Sequence, residues 1–365
     1  MKPQSIIIER PLGKTLIKAL LILGVVLITL EGAARTDIVR KRFRIASLGN
    51  YHFQFEMKWF QLQRYVEKNG GVDVIFLGSS LVNAGIMPSE INQAYVEQTG
   101  EQPMRIFNFG IEGMTIQPNS VVAELLVETY HPKMIIFGTE IRDYYAKNGI
   151  TVAEKFLSDP WVRFRTGNFS LQGWLAENSY AYRYYLAYRN WMNWEFYQNH
   201  SDTVLRTSRM EVDGHEIETQ SNTFHTLPPD PDNNEEDREA IEFFADFEID
   251  PSRLENLQSI LDLGKEQGVY ILFIEMPVSP TFFDYFERGE IEHTHFIKTV
   301  AEVVTSSGNI FILAPSEDIF PEDGRPDRVH LNEIGAPIFS RYLGERLAEL
   351  IITEDITFSE NGKGE

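Results

Sequence analysis

Five short apolar runs, each closing on a turn and separated from the next by helical stretches, constrain this chain more than any other feature. They span residues 72–77, 105–109, 134–137, 269–274 and 310–313. Continuous apolar character, without alternation, belongs to strands covered on both faces. Strands alternating with helices imply a parallel sheet in an α/β fold. The helical stretches fall at 88–98, 118–130, 251–267 and 296–306, with a last helix at 336–352. Pro88, Pro118 and Pro251 stand where helices start, because a fixed φ and a missing N–H cost nothing in a first turn.

Ahead of this pattern, Leu16 to Ala34 is mostly apolar, with an uninterrupted run from Ala19 to Leu30 preceded by Lys2, Arg10, Lys14 and Lys18. A positive flank followed by such a run predicts a transmembrane helix acting as a signal anchor over 1–34. Cleavage after Gly32-Ala33-Ala34 is disfavoured by Glu31, so an uncleaved single-pass anchor is expected. Arg35, Arg40, Lys41, Arg42 and Arg44 compete with the positive-inside rule, yet the expectation places the bulk of the chain outside the cytoplasm. A polar and aromatic connector with helical character covers 35–70. The main domain is then 71–352, carrying an insertion at 151–250, and 353–365 reads as a disordered tail.

The insertion lies between the third and fourth strands. Residues 161–200 are rich in aromatics, from Trp161 through Trp174, Tyr180, Tyr184, Tyr185, Tyr188, Trp191 and Trp194 to Tyr197, and a helix is predicted over 171–198. Such a segment suits a lid or acceptor-binding wall, a surface dipping into a membrane, or an ordinary helical subdomain. Between Asp230 and Asp250 carboxylates crowd around a single base, Arg238, with Pro228, Pro229 and Pro231 just ahead, which reads as a solvated or partly disordered loop. Its spacing matches no calcium loop. The formal charge of −21 argues against a nucleic-acid partner, because phosphate binding needs a basic surface. The absence of cysteine excludes disulfides, thiolate catalysis and cysteine metal sites. His293 and His295 form a His-x-His pair without further zinc ligands, and no metal or cofactor is expected.

Chemistry-bearing residues cluster where the expected strands end. Ser80 follows the first strand and Gly78; a serine at that turn can present its hydroxyl at the sheet's carboxyl edge, with its N–H available to an oxyanion. Ser79 is the alternative nucleophile. After the second strand, Asn108 to Thr115 contains Gly110 and Gly113, and Gly113 can offer a second oxyanion N–H. After the third come Gly138, Thr139, Glu140, Arg142 and Asp143. Asp327 stands three residues before His330. A carboxylate there can bind the far imidazole nitrogen, fix the tautomer and leave the near nitrogen free to take a serine proton.

The set Gly78-Ser79-Ser80-Leu81, Asn108 to Thr115, Gly138-Thr139-Glu140 and Asp327-Arg328-Val329-His330 resembles the SGNH/GDSL hydrolase superfamily over 70–150 and 268–352. The resemblance implies a flavodoxin-like three-layer sandwich with a five-stranded parallel sheet in the order 2-1-3-4-5. It also implies Ser80 as nucleophile, His330 as base, Asp327 as its orienter, and the Ser80 and Gly113 amides as oxyanion hole. Two positions depart from the family pattern: Ser79 replaces the usual Asp, and Glu140 stands where an Asn donates to the oxyanion. Arg142 or Asn83 could substitute as donor; alternatively Glu140 points away or stays protonated. The chain is further similar to anchored members that move acyl groups onto cell-envelope polymers beside a multipass membrane acyltransferase. The expectation is a serine esterase or O-acyltransferase with an acyl donor and a glycan acceptor. The alternatives are a silent scaffold or glycan-binding protein and a membrane-surface lipase.

Overall fold

The computed structural model describes residues 12–42, 47–192, 210–221 and 223–353. These form two compact units, one drawn from 1–50 and 159–199, the other from 51–158 and 200–365.

The second unit is built on a five-stranded sheet: β1 (Val74–Gly78), β2 (Ile106–Gly110), β3 (Met134–Thr139), β4 (Tyr270–Glu275) and β5 (Ile310–Ile312). All pairs are parallel and the order is β2-β1-β3-β4-β5, with helices on both faces. β1, β2 and β3 are buried along their whole length, as their unbroken apolar runs require. On one face Val74, Phe76, Leu272 and Ile274 pack against Phe339, Leu343 and Leu347 of the last helix, Gly335–Ile352. Burying each such side chain contributes about 1.5–3 kcal/mol. The helices Ile116–Tyr130 and Pro251–Gln267 pack on each other, the first also against β1 and the second against β4.

The carboxyl ends of three strands meet in register, Gly78 beside Gly110 on one side and beside Gly138 on the other. This row of glycines lets the short helix Ser80–Gly85 lie directly on the sheet edge: a Cβ at Gly110 would stand 2.3 Å from the backbone nitrogen of Asn83.

The helical character expected of 35–70 takes the form of the helix Phe53–Asn69, whose Phe55, Lys58 and Leu62 are fully buried. Two stretches differ from expectation. The acidic stretch is not a solvated loop throughout. Glu235–Phe244 is a helix capped by Asn234, with Glu235, Glu236 and Asp237 in its first turn, where the macrodipole favours carboxylates. It is held by the buried pair Asp237–Arg328 at 2.9 Å and by Phe244 stacked on Phe286. The helix expected from residue 296 starts earlier, at Glu290, because its first turn is polar and gives no apolar signal.

The first unit contains the helix Leu12–Ala34, of which Gly13–Ala34 is long and apolar enough to cross a membrane, with a mean hydropathy of 2.2 over an 18-residue window. At 1.5 Å per residue, 23 residues reach roughly 35 Å, enough for the hydrocarbon core. The helix predicted over 171–198 is two helices, Leu171–Asn178 and Tyr180–Trp191. Ser179 breaks it by adopting extended backbone and accepting from the Tyr182 N–H at 3.1 Å. Glu31 adds a second cap, accepting from Ser179 Oγ at 2.7 Å and from the Tyr180 and Ala181 amides at 3.0 and 3.1 Å. Its place at the end of an apolar helix thus has a structural use. Trp194, Tyr197 and the expected tail from Glu354 onward lie outside the described residues.

Candidate active site

Ser80 is the first residue of the helix that leaves β1. Ser79 before it is the N-cap: its hydroxyl accepts from the Leu81 N–H at 3.4 Å, which ties it to the helix end and gives it no base. Ser79→Ala is therefore expected to destabilise the fold by about 1 kcal/mol. Its thermal midpoint should fall while the reactivity of Ser80 stays at the wild-type level.

His330 sits in the loop before the last helix, and that loop is pinned from several sides. Asn332 caps the helix by accepting from the Ile334 and Gly335 amides at 3.0 and 3.2 Å. Fully buried Arg325 pairs with Glu317 at 2.7 Å and donates to the Pro277 carbonyl at 3.1 Å. Arg328 anchors on Asp237, and its carbonyl accepts from the Ser279 N–H at 2.8 Å.

Across 250 residues of sequence this loop meets the first helix: His330 Nε2 lies 2.8 Å from Ser80 Oγ. On the other side, His330 Nδ1 lies 2.8 Å from Asp327 Oδ2, while Asp327 Oδ1 accepts from the Val329 and His330 amides at 2.8 Å each. Partial burial alone would raise the Asp327 carboxyl. The His330 ring and these amides outweigh it and hold the group well below the usual carboxylate range. Asp327 is therefore an anion at neutral pH, fit to hold an imidazole by its Nδ1–H.

The pair opens into a cleft of about 560 Å³ whose walls include Asn83, Glu112, Glu216 and Glu218 beside Ser80 and His330. Gly113 follows Glu112 at φ +70°, a left-handed conformation that glycine adopts without strain. Neither the Ser80 nor the Gly113 N–H donates to another protein group among the described residues. The Gly113 turn is held from behind by the helix Phe53–Asn69. Gln54 Oε1 accepts from the Glu112 N–H at 2.7 Å, and His52 Nε2 lies 2.9 Å from the Glu112 carbonyl.

Glu140 and Arg142 do not line this cleft. Glu140 is buried and caps the turn Ile141–Tyr144, accepting from the Arg142 N–H at 3.0 Å and pairing with Arg142 Nε at 2.6 Å. Arg142 in turn lies over the Phe282 ring. The fully buried Asp143 carboxyl is pushed up by burial and by the Glu140 charge. The carboxylate at the third strand end is thus spent on local structure. Glu140→Gln is expected to lower thermal stability, through the weakened Arg142 pair, with Ser80 reactivity unchanged. A loss of reactivity in a folded Glu140→Gln protein would contradict this assignment. His293 is likewise structural, 2.6 Å from Glu275 and stacked on Phe283, and His131 ends the helix Ile116–Tyr130 in a left-handed conformation.

Sequence reasoning missed a buried polar group beside the cleft. Lys58, with no exposed surface, donates from Nζ to Asn83 Oδ1 at 2.5 Å and to the Asn108 carbonyl at 3.3 Å. Burial pulls its ammonium down to about 7, against the opposing charges of Glu216, Glu112 and Asp213. Glu216 accepts from Gln54 Nε2 at 3.2 Å and from Asn83 Nδ2 at 3.1 Å. Asn108 Nδ2 donates to the Val82 and Ile86 carbonyls at 2.8 Å each, tying β2 to the serine helix.

Neither a family model nor any curated protein matches the sequence. Several solved structures are similar to this chain, two of them as follows. One is a GDSL-like lipase from Bacteroides thetaiotaomicron VPI-5482, with 9% identity and a TM-score of 0.36, covering 80% of this chain and 98% of that one. The other is a proposed acylhydrolase from Bacteroides fragilis NCTC 9343, with 11% identity and a TM-score of 0.33, covering 80% and 97%. Scores this low carry no argument about this chain's fold or chemistry.

Proposed function

We propose that this chain is a serine esterase or O-acyltransferase of the SGNH type, held at a membrane by its N-terminal helix with the catalytic unit on the extracytoplasmic side. The observation that carries the reading is the continuous hydrogen-bonded row Ser80 Oγ, His330 Nε2, His330 Nδ1 and Asp327 Oδ2, with both contacts at 2.8 Å. In this mechanism Ser80 Oγ attacks the carbonyl carbon of an acyl donor while His330 Nε2 takes the hydroxyl proton. Asp327 holds the ring by its Nδ1–H and stabilises the imidazolium. The tetrahedral oxyanion lies against the Ser80 and Gly113 amides. The imidazolium then protonates the leaving oxygen, the acyl–oxygen bond breaks, and an acyl-Ser80 remains. A sugar hydroxyl or water attacks that ester, gives its proton to His330, and Ser80 departs reprotonated.

Transfer to a cell-envelope glycan, with the acyl group handed over by a multipass membrane acyltransferase, is the finer form of this reading. Its supports are the membrane-length helix and the open cleft. The scaffold reading loses its main support, because Glu140 is turned away from the cleft. A fluorophosphonate probe tests the core proposal. The full-length protein in detergent is expected to be labelled, and Ser80→Ala and His330→Ala each to abolish labelling. Unchanged labelling of Ser80→Ala would refute the nucleophile assignment.

A further inference from the structure

With Glu140 and Arg142 outside the cleft, the third strand end supplies no side-chain donor to the oxyanion. A donor stands instead on the serine's own helix. Asn83 is three residues after Ser80, a spacing that puts two helical side chains on one face, and both line the same cleft. Asn83 is buried, with 4% of its surface exposed. Its amide orientation is fixed from both sides: Lys58 Nζ donates to Oδ1 at 2.5 Å, and the Glu216 carboxylate, which can only accept, faces Nδ2. A flipped amide would oppose its oxygen to a carboxylate oxygen. Nδ2 therefore points the other way, where one of its hydrogens goes to Glu216 Oε2 at 3.1 Å and the second meets no protein acceptor among the described residues.

We infer that Asn83 Nδ2 is the third oxyanion donor of this site, and that Lys58 is the positioning residue that holds it in the donating orientation. The proposal rests on Ser80 being the nucleophile. Lys58 acts through Asn83: its hydrogen bond to Oδ1 fixes which end of the amide faces the reacting carbonyl and polarises that amide. Glu216 and Gln54 complete the frame, with Gln54 linking the Asn83 side of the hole to the Gly113 turn through the Glu112 amide.

The test is the saturation kinetics of fluorophosphonate labelling on the full-length protein, which separates reversible probe affinity (KI) from the rate of phosphonylation (kinact). Asn83→Ala and Asn83→Asp are each expected to lower kinact by about 10²–10³-fold, the loss seen on removing one oxyanion donor, with KI unchanged. Asn83→Asp is the decisive variant, because its carboxylate keeps the acceptor facing Lys58 while losing the donor. Lys58→Met is expected to lower kinact as well, and the double variant Lys58→Met/Asn83→Ala to be no slower than Asn83→Ala alone. Should Lys58→Met not fold, Lys58→Gln takes its place under the same non-additivity test. Labelling at Ser80 that is as fast in Asn83→Ala or folded Asn83→Asp as in the wild type would overturn this inference and leave the nucleophile standing. Multiplying effects of the two sites would overturn the positioning role. A wild-type protein without labelling at Ser80 would overturn the nucleophile assignment, and the inference with it.

Discussion

Asp327→Asn is expected to slow the reaction of Ser80 by about 10⁴-fold while leaving the protein folded. The reason is tautomeric. Asp327 Oδ2 faces His330 Nδ1 at 2.8 Å and, as an anion, demands a hydrogen there. Nε2 is then bare and accepts the Ser80 proton. An Asn at this position keeps its carbonyl oxygen on the Val329 and His330 amides, where Oδ1 now accepts two hydrogen bonds. Its NH₂ would then face Nδ1, which must become the acceptor. The ring proton moves to Nε2 and points at Ser80, leaving no base. Rates of fluorophosphonate labelling of the variant and the wild type, beside their thermal midpoints, check this. A fall of less than tenfold in a folded protein would mean that Asp327 does not set the tautomer.

The largest effect on stability is expected from Lys58, and it depends on pH. Its ammonium is pulled from the ordinary 10.5 to about 7 by burial. The unfolded chain therefore binds a proton that the folded chain lacks throughout the window from about pH 7 to 10.5. Stability rises with pH wherever the unfolded state holds more protons. The Lys58 contribution is thus least favourable below pH 7 and improves up to pH 10.5, by on the order of 4–5 kcal/mol over the full window. Other groups titrate in the same range, so the informative quantity is the difference between the wild type and Lys58→Met. That difference should shift steadily toward the wild type from pH 7 to pH 10 in thermal unfolding experiments. Parallel curves would show that Lys58 keeps an ordinary ammonium in the folded protein.

Much of the architecture was legible because its signals are local. Continuous apolar runs such as Val74 to Leu77 and Met134 to Phe137, short and bounded by turns, read as strands covered on both faces, and their alternation with helices implies parallel pairing. The Asp327-x-x-His330 spacing is also local: a tight loop brings Asp327 back onto both the ring and the backbone of His330. The Glu140 position was legible as an anomaly and illegible as to direction. Its side chain turns to the Arg142 amide and guanidinium two residues on, a contact that competes with any role toward a substrate. The break at Ser179 was hidden in a run whose aromatic content looks helical throughout, since the cap that ends it is completed by Glu31, 148 residues earlier.

The sequence by itself determined the strands, most helices, the apolar helix at the start of the chain, and three residues able to form a nucleophile, base and orienter. These follow from periodicity, composition and short spacings, which physical chemistry reads within one or two turns of chain. Only the tertiary structure decided that Ser80 meets His330, that Ser79 caps the helix, that Arg328 finds Asp237, and that Lys58, Gln54 and Glu216 gather around Asn83. Each of those contacts joins segments far apart in sequence or chooses between neighbouring polar groups. A polar side chain gives no local sign of its distant partner; the sheet and its crossing helices bring the two together, and burial then makes the pairing obligatory.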